Sequence, residues 1–221
     1  MRIPAYLWAC AVVVAVGGAW PDTVGAQTPQ VVPCNGQRID AIRVVTVAPS
    51  VAGVRRIPVI SEIARGVHVT TRPDVIERFL LLHVGDRCSE LRRAESERIL
   101  RAQPFIADAT VQAVKNDVGG VDLDVHTIDE VEAVFSATVR AKMPFLTRLR
   151  IGSANVNGEG IYAVGGWWHE PAFRDGIAIG LTDYQMFGQP YQGTVRASRN
   201  PLGGSYHFGL QRPFLTDLQR T

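Results

Sequence analysis

From residue 129 onward the chain alternates, and that alternation limits what it can fold into. Phe135, Ala137 and Val139 take turns with Ser136, Thr138 and Arg140. Ile177, Ile179 and Leu181 do the same with Ala178, Gly180 and Thr182, and Tyr206, Phe208 and Leu210 with Ser205, His207 and Gly209. Val195 and Ala197 alternate with Thr194, Arg196 and Ser198. A period of two sends successive side chains to opposite faces of a strand, so each segment predicts a strand with one apolar face. Turn signals separate them: Asn155 to Gly160, Arg174-Asp175-Gly176, Phe187 to Pro190, and Asn200 to Gly204. Trp167, Trp168 and four of the five Tyr fall in this region. Antiparallel strands of this kind fit a transmembrane barrel; a soluble sandwich gives similar alternation.

The N-terminus reads as an export signal over residues 1–26. Arg2 supplies a positive start, Ala5 to Ala19 an apolar run, and Val24-Gly25-Ala26 a cleavage site before Gln27. The run is shorter than the roughly 18 apolar residues of a spanning helix. Cleavage removes Cys10 and leaves Cys34 and Cys88. In an oxidising compartment two remaining thiols pair, and a Cys34–Cys88 disulfide is predicted. The sequence has no Cys-x-x-Cys, and its five His do not cluster at ligand spacing.

Residues 34–128 read as a small mixed unit. Ile39 to Val47 is a β-prone run ended by Pro49. A short helical candidate lies near Val59 to Ala64. Thr71 before Pro73 predicts an N-cap and first helical position, followed by Val75, Ile76, Phe79 and Leu80 on one face. Ser89 caps a second helix with Leu91, Ala94, Ile99 and Leu100 inward. Its charged residues, Glu90 to Arg101 with Arg93 and Glu97 among them, alternate in sign and predict a solvated face. Two strands follow, Ala109 to Val114 and Val121 to His126, joined by a turn at Asn116 to Gly120.

The order β-α-α-β-β on these residues resembles the POTRA domain of bacterial outer-membrane assembly proteins. The likeness rests on Val75 to Leu80, Val84-Gly85-Asp86, Leu91 with Glu95 to Leu100, Pro104 to Ala109, and Val121 to Val125. Gly152 to Gly160 resembles the segment that opens the barrels of the BamA/TamA-like superfamily, and Gln211-Arg212-Pro213-Phe214-Leu215 its recurrent strand end. The resemblance implies an α+β POTRA domain followed by antiparallel β, the N-terminal part of an outer-membrane β-barrel. It further implies an outer-membrane location with the POTRA domain in the periplasm. The partners it implies are the lipid bilayer, unfolded or extended client polypeptides, and periplasmic or lipoprotein accessory subunits. An open sheet edge accepts an extended chain by backbone hydrogen bonding. The edge implied for clients is Ala109, Thr110, Val111, Gln112, Ala113 and Val114.

Other chemistries find no support in the residues. With 23 basic and 21 acidic side chains the net charge is +2, which excludes a polycationic nucleic-acid binder. His169-Glu170 is followed by Pro171 rather than by a second His at metalloprotease spacing. The Gly-x-Ser-x-Gly and phosphate-loop patterns are missing. Asp122 and Asp124 read as a solvated sheet face. No enzyme and no cofactor are predicted; the alternative to a membrane protein is a soluble periplasmic binding or scaffolding module. Residues 129–221 have room for roughly six strands, fewer than the smallest closed barrel of about eight, so the barrel is expected to be incomplete.

Overall fold

A computed structural model describes residues 30–49, 69–171, 174–213 and 215–220. The signal segment 1–26 and the helical candidate near Val59 to Ala64 lie outside them.

The β-branched run becomes a long strand, β1 (Asn35–Val47). After it come α1 (Pro73–Glu77), the short β2 (Arg87–Ser89) and α2 (Glu90–Arg101). A hairpin of β3 (Ile106–Lys115) and β4 (Val121–Asp129) completes the first sheet, in the order β2-β1-β4-β3. β1 runs parallel to β4, from Ile39 opposite Val121 to Val47 opposite Ile128, whereas β3 is antiparallel to β4. Two apolar clusters lie against this sheet. One gathers Val75, Ile76, Phe79, Leu80, Ile99, Leu100, Phe105, Ala109, Val111 and Val125. The other holds Ile39, Leu82, Ala113, Val121 and Leu123 around the Cys34–Cys88 disulfide, which forms as predicted.

The second sheet is a meander of six antiparallel strands, each paired with its neighbours in sequence. They are β5 (Ala133–Val139), β6 (Leu146–Ser153), β7 (Ile161–Glu170), β8 (Arg174–Asp183), β9 (Gln192–Asn200) and β10 (Gly203–Gln211). The β9–β10 connection shows how local chemistry sets the register. The Asn200 side-chain oxygen accepts from the N–H groups of Leu202 and Gly203, closing the turn that puts Gly203 opposite Asn200.

The predicted α+β POTRA arrangement requires correction. Strand takes up 53% of the described residues, which also form two short helices, so the molecule is a β-rich fold with a half-barrel sheet. The expected first helix ends at Glu77. Phe79 and Leu80 still reach the core, but through the turn that follows, and the chain then carries Leu82 into the second cluster. An extra strand, β2, forms where Cys88 is drawn against β1 by Cys34. On α2 the buried positions are Ser96, Ile99 and Leu100, while Leu91 is 63% exposed instead of inward.

Candidate functional site

The second sheet has two unlike faces. Cross-strand pairing aligns Phe135 with Ile151, Leu149 with Trp167, Trp167 with Ile177, Ile179 with Ala197, and Val195 with both Leu181 and Phe208. These residues share one face, and that face is bare. Ile179 is 65% exposed and Phe208 73%, and Phe135, Ile151, Ile177, Tyr206 and Leu210 are similarly open. Each large apolar side chain gains roughly 1.5–3 kcal/mol when it is buried, so the face is a strong drive toward an apolar partner. Its height is set by charge: on β8 the apolar run Ile177, Ile179, Leu181 is bracketed by Asp175 and Asp183. That separation is about 26 Å along a strand. A barrel tilt of about 40° reduces it to about 20 Å, close to the ~25 Å apolar band of membrane barrels.

The opposite face carries Ser136, Thr138, Arg148, Arg150, Thr182, Arg196, Ser198 and His207, with small residues such as Gly166, Ala178 and Gly180 between them. Arg150 donates to the Tyr162 hydroxyl, and Arg148 stands 3.6 Å from Glu170. At the strand ends His169 meets Asp175 at 2.9 Å, so the dipeptide set aside in the sequence is occupied by a cross-strand pair. Among the described residues no group of three or more His, Cys, Asp or Glu is placed to hold a metal ion. No described helix is long and apolar enough to cross a membrane.

A buried polar network fastens the first sheet to one end of the second. Thr71 caps no helix. Its N–H and hydroxyl both donate to the Asp129 carboxylate, at 2.8 and 2.7 Å. Arg72 takes the cap position without a side-chain bond. The Asn155 amide, fully buried in the β6–β7 turn, donates to the Thr71 hydroxyl at 2.7 Å, and its oxygen accepts from Gly160 N–H at 2.7 Å. Arg72 donates its N–H to the Gly158 carbonyl and its guanidinium to Glu159, both at 3.0 Å. Gly158 is required there: φ is +71°, and a Cβ would lie 2.3 Å from the Thr70 carbonyl oxygen. The β8–β9 turn adds Gln185, which donates to the Val75 carbonyl, and Tyr184, whose ring lies 6.0 Å from that of Phe105. Burial raises the Tyr184 hydroxyl above its ordinary range. Glu132 also sits in this junction, buried at the entry to β5 with its carbonyl accepting from Ala154 N–H at 2.7 Å. Burial, with the neighbouring Asp129 charge, pushes its carboxyl up to about 7 against an opposing bond from the Val69 N–H.

No family model matches this chain, and no curated protein does.

The residues named as the client edge lie together on β3, the last strand of the first sheet. Ala109, Val111, Ala113 and Val114 are buried, Thr110 is half-buried and Gln112 exposed. Alternation on β3 does not reveal what covers its outer edge. Arg93 and Glu97, expected on a solvated face, turn toward it. Arg93 bonds Glu90 and Glu97 as well, and these contacts raise its guanidinium and lower the Glu90 carboxyl. Asp122 and Asp124 are not a solvated pair either, because Arg43 from β1 engages both and Asp122 is buried. A Glu at i+4 from an Arg was the visible signal for α2, but that spacing also suits a solvent-facing pair.

Proposed function

We propose that this chain seats its six-stranded sheet in a bacterial outer membrane and assists the insertion, assembly or translocation of other polypeptides, in the manner of BamA/TamA-like proteins. The first sheet then stands in the periplasm and receives extended clients by strand addition, with lipoprotein or periplasmic accessory subunits as further partners. The observation that carries this reading is the bare apolar face of the second sheet, opposed by a basic and hydroxylic face. In lipid, the first faces hydrocarbon and the second a polar lumen. The network through Thr71, Asp129 and Asn155 supports a transmission role, since a client held on the first sheet is held at a fixed place beside the strands. The driving free energy in this mechanism is client folding and burial in lipid, with no nucleotide required.

Membrane fractionation of the natural gene product tests the reading. The expected result is extraction only with detergent, and a band whose gel mobility shifts on heating. A freely soluble periplasmic species would overturn it in favour of a binding or scaffolding module.

A further inference from the structure

The outer edge of β3 is already occupied. Along this strand the outward backbone groups belong to Ala109, Val111, Ala113 and Lys115, and at each of these residues the chain's own atoms meet at least one of them. Lys115 N–H donates to the Gln30 carbonyl at 3.0 Å, and Val32 N–H donates to the Ala113 carbonyl at 2.9 Å. These bonds make an antiparallel bridge between Val31 and Val114. Further along, Val111 N–H donates to Glu97 at 3.2 Å, and the Val111 carbonyl accepts from Arg93 at 2.5 Å. Ala109 N–H is taken by Asp108 at 2.9 Å.

The segment 30–32 is built to be short. Pro29 and Pro33 bracket it in the sequence, and neither has an N–H to extend a ladder. Val32 is partly buried against the cluster of Ile39, Leu82, Ala113 and the disulfide, whereas Val31 is 56% exposed. Two residues after Val32 the chain is tied down by Cys34, bonded to Cys88. A tether this close keeps a weakly bound segment at high effective concentration.

We propose that residues 30–32 form a resident strand that closes the β3 edge, and that an extended polypeptide bearing an aliphatic residue at the Val32 position must displace it. The inference rests on the client-docking reading above and adds a threshold to it. Chance encounters with short extended segments lose to the tethered strand, whereas a longer one that pairs along the whole edge wins. Arg93 and Glu97 guard the stretch that the resident strand does not reach.

The test compares the full chain with a variant lacking residues 27–32, and with Val32→Pro, which removes only one donor. Amide hydrogen exchange is read at Lys115, with Val125 as an internal control for folding. In the deletion variant, Lys115 exchange is expected to rise by at least about tenfold while Val125 is unchanged. A peptide copying residues 28–33 is expected to restore the protection and to bind the deletion variant at least about tenfold tighter than the full chain. Val32→Pro is expected to fall between the two. Unchanged Lys115 exchange in both variants, or equal peptide binding to variant and full chain, would overturn the resident strand. A peptide copying β10 serves as the client. If the edge opens and this client binds neither protein, strand addition by clients is refuted while the resident strand stands.

Discussion

The two sheets spend their apolar residues in opposite directions. In the first, Ile39, Val111, Leu123 and Val125 are sealed from water beneath the two helices and the disulfide. In the second, Ile177, Ile179, Tyr206 and Phe208 are turned outward and share no core with any other described element. Alternation of the same period therefore has two outcomes. The first sheet makes its own apolar interior, and the second leaves its apolar face open. The position of the charges follows: Arg43 and the pair Asp122 and Asp124 lie within the first sheet, whereas Asp175 and Asp183 stand only at the ends of the apolar run on β8.

Phe105 joins the two systems and provides the hardest test of their separation. It is 1% exposed, packs on Phe79 and Tyr184, and lies where a Cβ on Gly160 would meet it. Phe105→Ala is expected to cost about 3–5 kcal/mol, measured by denaturant unfolding of the first sheet. A loss below about 1 kcal/mol would mean that this core is not self-sufficient.

Ile179→Lys places a charge on the apolar face, and is expected to lower folding in lipid vesicles by about 2–4 kcal/mol if that face meets hydrocarbon. The matched change Ser198→Lys on the other face is expected to be close to neutral. Equal effects at the two positions would break the distinction between the faces.

Glu132 gives a smaller effect with a definite sign. Its folded carboxyl titrates at about 7, above the ordinary value of 4.5, so through that window the folded state holds a proton that the unfolded state has released. The junction is expected to be most stable below pH ~4.5, and to lose up to about 3 kcal/mol as pH rises through 7. Glu132→Gln is expected to flatten that dependence in pH-resolved thermal melts. A wild-type profile as flat as that of the variant would show that the buried carboxyl does not tune the contact between sheets.

Much of this arrangement was legible from residue patterns. Four of the six strands of the second sheet follow directly from alternation, whereas Arg174-Asp175-Gly176, which reads as a turn, lies inside β8. The pairing of Cys34 with Cys88 follows from counting the thiols left after the segment that reads as an export signal. What alternation cannot show is which partner a polar group meets. Thr71 before Pro73 has the form of a cap, yet Asp129, distant in sequence, outcompetes the helix terminus for its hydroxyl. Asn155 looks like an ordinary turn residue, and its burial depends on a surface made by residues more than eighty positions earlier. Arg93 and Glu97 carry the pattern of a solvated helix face. Only the docking of β3 beside α2 turns them into edge guards.

The connectivity of the two sheets also sets an order of assembly. In the second sheet every strand pairs with its neighbour in sequence, so each hairpin can form as soon as its second strand is available. The first sheet cannot form this way. Its parallel pair brings together Thr46 and Thr127, 81 positions apart, and β1 must wait unpaired on that side until β4 exists. During synthesis, β1 is therefore a strand with its long-range partner still to come. The nearby segment 30–32 must wait equally for β3, so the resident strand is among the last pieces of the first sheet to settle.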